Sequence, residues 1–333
     1  MFLSLCSLAL VLLTPTNRTH QAEGVRIEQK VSYLGAPNNI RMSNGVVELI
    51  ISTDYGPRIM RYAPVGSKPE ANLFATMPGV TATTPLGEWW IRGGHRLWHA
   101  PEAKPRTYEP DNDPLSFEIE GNTVKLKQAV EKTTLIQKEM WVTLDPKTSR
   151  VTVLHKLTNR GLFAVEMACW ALSVMNQEGK GIYPQEPYRP HTEDLLPARP
   201  MVLWSYTNLK DPRWMLGSTL LTLTQDPNNK EPQKIGLLNQ QGWAAYARKG
   251  WLFIKRFRYE PGKTYPDFQC NMETFTNDAM LEVETLGSLE KVAPEQSITH
   301  TEEWWLFKKE VGETEATMNE ALLPLLKETE TPK

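Results

Sequence analysis

The segment 91–102 concentrates side chains that bind polar ligands around a glycine pair, Gly93–Gly94. Glycine permits positive φ and close approach of a ligand, arginine offers a planar fork of donors, and tryptophan offers a flat apolar face. These groups suit a sugar, so the segment predicts a sugar site carried by a loop. A surface turn beside a core tryptophan is the alternative interpretation. The side chains concerned are Arg92, His95, Arg96, Trp98, His99 and Glu102.

A second stretch, Leu281–Gly287, predicts a strand with two carboxylates on one face. Because side chains alternate along a strand, Leu281 and Val283 face the core while Glu282 and Glu284 share the opposite face, about 7 Å apart. If that face lines a cleft, burial and like charge would raise one carboxyl pKa, which suits a general acid or base. The alternative is a solvated strand face without function.

The other histidines and the known catalytic motifs give little further support for chemistry. His155 shares a predicted strand face with Val153, and His300 alternates with Trp304, so both are interpreted as hydrogen-bonded core residues. No His-Glu-x-x-His motif accompanies the histidines of segment 91–102, and we expect no metal and no cofactor. The sequence also lacks a Gly-x-Ser-x-Gly elbow, a P-loop and a dinucleotide fingerprint.

The net charge limits the partners of the protein, and the N-terminus indicates that it is exported. The net charge of −2 over 333 residues gives no reason to expect binding to nucleic acid or to an anionic membrane. Phe2–Leu13 is apolar but shorter than the roughly 20 residues that span a membrane, so residues 1–22 are predicted to be a signal peptide. We therefore expect a periplasmic or secreted protein without stable membrane insertion.

Cys169 and Cys270 are interpreted as buried free thiols, with a disulfide as the alternative.

Residues 23–310 predict an all-β, antiparallel sandwich. Short alternating or β-branched runs follow one another with turn residues between them, and Asp145–Ser149 separates the two strands of a hairpin. Residues 178–200 are rich in proline and polar residues and predict a long loop. Within residues 311–333, Met318, Leu322 and Leu325 have helical spacing, which predicts a short amphipathic C-terminal helix or a frayed tail.

Together these residues resemble the aldose 1-epimerase, or galactose mutarotase-like, superfamily from about residue 41 to residue 308, and a bacterial branch of it in particular. Ile91–Gly94 is similar to the Ile-Arg-Gly-Gly of the hexose-6-phosphate epimerase-like members, where the arginine helps to hold the sugar. Val283–Thr285 is similar to the mutarotase segment that carries the general base, and Pro294–Trp304 to the closing strand. The resemblance implies a supersandwich of two large antiparallel sheets, with the sugar in a cleft on one concave face.

The resemblance also assigns candidate site residues. It implies that Glu284 is the general base, but the strand Trp170–Met175 lacks the histidine that serves mutarotases as the general acid. His95 is the candidate for that missing acid if its loop folds into the cleft. Arg58 follows the Gly56–Pro57 turn and joins the candidate substrate-binding set, which is Arg58, Arg92, Arg96, Trp98, Glu102, Glu273 and His300.

The sequence therefore predicts a secreted, cofactor-independent sugar epimerase or mutarotase. A non-catalytic carbohydrate-binding sandwich that has lost the catalytic histidine is the main alternative. A lyase or hydrolase acting on uronic-acid polymers is a third, although no constellation of catalytic tyrosines supports it. The expected partner is a sugar or oligosaccharide, and the expected state is a monomer or weak dimer.

Overall fold

The computed structural model describes residues 19–22 and 24–330. The apolar run Phe2–Leu13, on which the signal-peptide prediction depends, lies outside these residues. Thr19–Ala22 fall within the predicted signal peptide and form an edge strand beside Val25–Tyr33. Among the described helices, none is both long enough and apolar enough to cross a membrane.

Strands make up most of the described chain, and helices are few. The strands are β1 (Thr19–Ala22), β2 (Val25–Tyr33), β3 (Ala36–Ser43), β4 (Val47–Ser52), β5 (Arg58–Pro64), β6 (Thr76–Thr84), β7 (Gly87–Ala100), β8 (Ser116–Glu120), β9 (Thr123–Lys127), β10 (Ile136–Leu144), β11 (Val151–Asn159), β12 (Val165–Met175), β13 (Lys180–Pro184), β14 (Met201–Leu203), β15 (Trp214–Leu216), β16 (Leu220–Thr224), β17 (Gln233–Leu237), β18 (Trp243–Arg248), β19 (Trp251–Phe257), β20 (Met272–Thr276), β21 (Leu281–Leu286), β22 (Glu290–Val292) and β23 (Ser297–Lys308). Short helical turns occupy Pro69–Ala71, Arg106–Tyr108 and Pro266–Gln269, and one longer helix covers Glu315–Glu328.

Within residues 19–22 and 24–330 the strands form two antiparallel sheets. The larger has 13 strands in the order β1-β2-β3-β4-β5-β7-β12-β21-β20-β17-β14, with β6 paired to β7 and β22 to β12. The smaller has 10 strands in the order β15-β16-β13-β18-β19-β23-β11-β10-β9-β8. This architecture confirms the predicted antiparallel sandwich.

The two sheets bury a shared core because alternate residues of each strand are apolar. From β11, Val153 and Leu157 point inward and are fully buried, and Val283 and Met272 meet them from the larger sheet. The hairpin β10–β11 pairs as predicted. Its turn is fixed by Asp145, whose Oδ1 accepts hydrogen bonds from two following backbone amides.

The C-terminal helix covers the outer face of the smaller sheet. Met318 and Leu322 are fully buried against Trp243 and Ile254. Thr314 caps the helix by accepting a hydrogen bond from the Thr317 amide. The predicted amphipathic helix is confirmed and covers Glu315–Glu328.

The main departure from the sequence prediction concerns the segment 91–102, which is not a loop. Residues up to Ala100 belong to β7, a 14-residue strand in the middle of the larger sheet. From the sequence, the glycine pair was interpreted as part of a loop or turn. In the structure Arg92, Gly93 and Gly94 have positive φ and form an irregularity within the strand. The alternation of a strand therefore decides where each side chain of this segment points.

Both cysteines of the described residues are buried and free. Burial raises the pKa of the Cys169 and Cys270 thiols, so both remain protonated. The prediction of two buried thiols is confirmed.

Candidate functional site

Strand β7 places its histidines on one face of the larger sheet and its other candidate ligand-binding side chains on the opposite face. His95 and His99 point into the core and are fully buried, whereas Arg96 and Trp98 point to the outer face, away from the smaller sheet. Glu284 lies on that same outer face. His95 and Glu284 are therefore separated by the sheet, and the sequence prediction that they converge on one ligand does not match their placement. The reason is the strand period of two, which a loop would not impose.

A single row of paired residues crosses five adjacent strands on the outer face. Arg96 of β7 pairs with Leu172 of β12, and Leu172 pairs with Glu284 of β21. Glu284 faces Glu273 of β20, and Glu273 faces Gly236 of β17. Since directly paired residues have Cβ atoms about 5 Å apart, the row brings an arginine and two carboxylates within the span of a sugar.

Lys234 of β17 joins the two carboxylates of this row. Its Nζ lies 2.7 Å from Glu273 Oε2 and 3.3 Å from Glu284 Oε2. The ammonium also lies 4.9 Å from the ring centroid of Trp170 and 4.7 Å from that of Trp204, within range of cation–π attraction. Glu284 Oε2 receives a second hydrogen bond, from the Trp170 indole at 2.8 Å. The sequence prediction had included neither Lys234 nor Trp170.

Arg96 is held in place from two sides and still has free donors. Its Nη2 donates to Glu282 Oε1 at 2.9 Å, and its guanidinium carbon lies 4.2 Å from the ring centroid of Trp98. Trp98 thus supports Arg96 with one of its faces, and that face is not open to a sugar. Arg96 Nε and Nη1 are buried without a hydrogen-bond partner among the described residues.

Buried polar atoms without partners converge on this row. Glu273 Oε1 and Glu284 Oε1 are also buried and unpaired in the described part of the chain. Buried polar atoms are almost always hydrogen-bonded in native proteins, so a set of unpaired donors and acceptors requires an explanation. A ligand hydroxyl both donates and accepts, and could therefore satisfy the free oxygens and the free Arg96 nitrogens together.

The pKa values of the carboxyl groups reflect this crowding. Burial, reinforced by the charge of Glu284, raises the pKa of Glu273 to about 8, although Lys234 opposes the shift. Burial and Glu284 likewise raise the pKa of Glu282 to about 7 against the opposing effect of Arg96. Burial lowers the pKa of Lys234, but the negative charges of Glu284 and Glu273 outweigh this effect and raise the pKa well above its usual value. The outer face therefore holds protons at neutral pH on carboxyl groups rather than on histidines.

Aromatic residues from two loops lie at the rim of the row. Tyr206 is 40% exposed, and burial of the rest of its side chain raises its pKa to about 12, with Lys234 opposing and Glu284 and Glu102 adding to the shift. On another loop the Tyr108 hydroxyl donates to Glu102. Glu102, predicted to bind substrate, is therefore an exposed rim residue.

Two of the predicted sugar-binding arginines serve the scaffold. Arg58 is fully buried; it donates to Asp111 Oδ2 at 2.9 Å and to the carbonyl oxygens of Ile91 and Gly93. It thereby supports the irregular part of β7. Arg92 stacks 4.0 Å from the ring centroid of Tyr55 and donates to Asn112 Oδ1 at 2.8 Å, beside a groove of about 400 Å³.

The predicted site histidines belong to a hydrogen-bonded network inside the sandwich. His155 Nδ1 lies 3.0 Å from the carbonyl oxygen of His300, so Nδ1 carries the hydrogen. Its Nε2 then accepts from His95 Nε2 at 2.7 Å, and His95 Nδ1 accepts from Ser173 Oγ at 2.9 Å. Burial lowers the pKa of all three histidines and keeps them neutral.

An ion pair completes the interior network. Glu302, fully buried, accepts from Lys255 Nζ at 2.9 Å and from the Trp304 indole at 2.8 Å. His95, His155 and Glu302 are close enough to suggest a metal site, with their ligand atoms within 4.8 Å of one another. However, their donors and acceptors are already paired with one another, and the Lys255 ammonium occupies the carboxylate. The network fits a structural role.

Comparison with solved structures identifies the fold, although no protein-family model and no curated protein matches the sequence. A galactose mutarotase-like protein from Lactobacillus casei matches with a TM-score of 0.51 at 10% identity, over 81% of this chain and 100% of that chain. This chain has the galactose mutarotase-like fold. A candidate mutarotase from Salmonella typhimurium matches with a TM-score of 0.50 at 13% identity, over 90% of this chain and 96% of that chain.

A larger protein contains the same fold. A TPR-domain-containing protein from Parabacteroides distasonis matches with a TM-score of 0.54 at 13% identity, over 83% of this chain but only 48% of its own length. At such identities the galactose mutarotase-like fold is shown, and the chemistry has to be argued from the residues of this chain.

Residues missed by the sequence prediction were missed for identifiable reasons. Lys234 was given no role in the sequence prediction. Its signal would have been its place beside the apolar Ile235 in a strand that is not at the sheet edge, because a charged residue that is buried must be paired. Trp170 contacts the candidate base from the neighbouring strand β12, a pairing that the sequence alone does not reveal.

Proposed function

We propose that the protein is a cofactor-independent sugar epimerase or mutarotase that uses Glu284 as its general base. The observation that carries the proposal is the free, fully buried Glu284 Oε1, which lies in one row with the unpaired Arg96 donors. A base must be within hydrogen-bond reach of the proton that it abstracts, and Oε1, which has no partner among the described residues, is the Glu284 oxygen available for that contact. Mutarotase-like proteins among the structural neighbours support a sugar ligand.

In this proposal the outer face binds the sugar through hydroxyl groups. Arg96 donates to ring or hydroxyl oxygens, while Glu284 accepts the proton of the anomeric hydroxyl. Lys234 and Trp170 keep Glu284 in one position, because both donate to its other oxygen, Oε2. Tyr206 and Trp204 at the rim exclude water from the buried row.

The alternative proposal is a carbohydrate-binding sandwich without catalysis. It is favoured by the outer face of β12, where Trp170 and Leu172 flank Glu284 and no histidine is present. A mutarotase that had lost its acid would retain the row of hydroxyl-binding groups. Such a protein would bind a sugar without exchanging its anomers.

Saturation-transfer NMR of anomer exchange separates the two proposals. The panel consists of neutral hexoses, pentoses and uronic acids, each measured with wild-type protein, Glu284→Gln and Glu139→Gln. Glu139 is a matched control because it is also a buried, ion-paired carboxylate but lies on the smaller sheet. Exchange above the buffer rate that Glu284→Gln abolishes and Glu139→Gln retains supports the enzyme. Calorimetric binding without exchange supports the binding protein, and unchanged exchange in Glu284→Gln contradicts Glu284 as the base.

We further propose that the protein is exported, on the basis of the apolar run Phe2–Leu13. Expression in a bacterial host, followed by fractionation and mass measurement of the recovered chain, tests this. A chain shortened near residue 22 in the periplasm or medium is the expected result, and an uncut chain in the cytoplasm contradicts it.

A further inference from the structure

We propose that Glu273 is the general acid that works with Glu284, an inference that rests on the proposed epimerase function. Epimerisation at an anomeric centre needs a base for the hydroxyl proton and an acid for the ring oxygen. The strand that supplies a histidine acid in mutarotases supplies Trp170 here, so the acid has to come from elsewhere on the outer face.

The geometry of the sheet presents Glu273 beside Glu284. The two residues are direct partners in the antiparallel pair β20–β21, so their side chains leave the sheet on the same face. Both are fully buried, and each has one oxygen, Oε1, without a partner among residues 19–22 and 24–330. Each presents its other oxygen, Oε2, to the Nζ of Lys234. A ligand atom between the two free oxygens would contact an acid and a base at once.

The surroundings of Glu273 favour its protonated form. The charged and titratable groups that face it are Lys234 from β17, Glu284 from β21, Asp267 and Cys270 from the preceding segment and Tyr206 from the rim. One cation thus serves two fully buried carboxylates, and like charges at this separation are not both retained at neutral pH. Trp170 donates to Glu284 and not to Glu273, so the second donor assigns the acceptor role to Glu284. Glu273 is the member of the pair that keeps a proton, consistent with a pKa of about 8.

The other candidates for the acid are less suitable. His95 lies behind the sheet, and both of its ring nitrogens are engaged, with Ser173 and His155. Lys234 holds its proton too tightly for efficient transfer near neutral pH, since the neighbouring carboxylates raise its pKa well above the usual value.

The reaction balances with these two residues alone. Glu284 takes the proton of the anomeric hydroxyl, the electrons of that O–H bond form the carbonyl, and the bond between the anomeric carbon and the ring oxygen breaks. Glu273 gives its proton to the ring oxygen, which leaves an open-chain aldehyde. After rotation about the bond between the first two carbons, the reverse steps close the other anomer and restore both carboxyl groups.

The test compares the pH dependence of anomer exchange in wild-type protein, Glu273→Gln, Glu273→Asp and the control Glu139→Gln. Positioned acid catalysis contributes roughly 100- to 10,000-fold, so Glu273→Gln is expected to lose at least about 100-fold in rate. Because an acid must be protonated to act, the wild-type rate should fall as pH rises through about 8. That alkaline limb should vanish in Glu273→Gln, while calorimetric sugar binding stays within a few-fold.

Each outcome has a distinct meaning. Glu273→Gln exchange within threefold of wild type with an unchanged alkaline limb overturns the role of Glu273, while loss of exchange in Glu284→Gln leaves the proposed function standing. Should Glu273→Gln fail to fold, Glu273→Asp keeps the acid group and must retain an alkaline limb at reduced rate. An Asp variant with no limb overturns the inference. Wild-type protein that binds sugars but exchanges none overturns the proposed function itself.

Discussion

The indole Nε1 of Trp170 donates a 2.8 Å hydrogen bond to Glu284 Oε2 from the neighbouring strand β12. Both residues are almost completely buried, so the bond replaces water that the carboxylate has lost. Strand β12 therefore supplies a donor that fixes the candidate base. This relationship leads directly to a first prediction.

Trp170→Phe should destabilise the protein by about 1.5–3 kcal/mol, the range for a hydrogen bond to a charged group. Phenylalanine keeps an aromatic ring in the outer-face cluster but removes the donor to Glu284. Urea denaturation measures the free energy of unfolding. Trp98→Phe is the matched control, because Trp98 packs in the same cluster at a ring-centroid distance of 5.3 Å from Trp170. Equal losses in the two variants would show that ring volume, rather than the hydrogen bond, matters.

Lys234→Met should cost about 3–5 kcal/mol, because it leaves the Glu284 carboxylate buried without its cation and removes the same ammonium from Glu273. Adding Glu273→Gln should recover part of this loss, with a coupling free energy of about 1–3 kcal/mol in a double-mutant cycle. Lys156→Met, which breaks a partly exposed pair with Glu139, should cost about 1 kcal/mol or less. Additive effects of the Lys234 and Glu273 changes would contradict the shared-cation interpretation.

Stability should fall as the pH falls below about 6.5, because the interior histidines are neutral when folded. Burial lowers the pKa of His300 to about 3, against 6.5 in an unfolded chain, and lowers those of His95 and His155 as well. Between these pH values the unfolded state binds more protons, so protonation favours unfolding. Each histidine adds a slope of up to about 1.4 kcal/mol per pH unit.

Denaturation of wild-type protein and His300→Gln from pH 7 to pH 4 tests this linkage. The Gln amide can still donate to Thr285 Oγ1, which lies 2.7 Å from His300 Nε2. The variant should show a slope smaller by about one proton, since the contributions of the carboxylates are common to both proteins. Equal slopes would show that His300 does not titrate differently on unfolding.

Anionic sugars should bind more weakly than neutral ones. The outer face carries Glu102, Glu282 and Glu284 near two cations, Arg96 and Lys234, and both cations are already paired with carboxylates. A ligand carboxylate would therefore meet the charge of Glu284 and find both cations shared with protein carboxylates, and like charges placed side by side cost several kcal/mol. Calorimetry with a hexose and its uronic acid should give at least about a tenfold difference in affinity. Tighter binding of the uronic acid would contradict this view and favour a site for acidic polymers.

The sequence predicted the fold well because its evidence was periodic. Alternation in Leu281–Gly287 correctly placed Glu282 and Glu284 on one face, and the hairpin around Asp145 was confirmed. His95 was misplaced because glycines at positions 93 and 94 were interpreted as a loop. In this central strand the glycines allow the neighbouring backbone to approach closely. A Cβ atom at position 93 would lie only 2.1 Å from the Ala75 carbonyl oxygen.

The remaining site residues could not be predicted, because they depend on pairing between distant strands. Glu273 and Glu284 were predicted one by one, but Lys234 was not, and no local pattern reveals that these residues of three strands are neighbours. Register across the sheet, rather than spacing along the chain, brings them together.

Strand β7 has one more consequence, for how this protein can change over time. Its odd-numbered positions 95, 97 and 99 build the interior, and its even-numbered positions 96 and 98 build the outer face. Loss or gain of one residue within this stretch would exchange the two sets, burying an arginine in the core and exposing a histidine on the site. Variation here is therefore confined to substitutions at fixed length. Diversity in ligand preference has to enter through the rim loops that carry Glu102 and Tyr206.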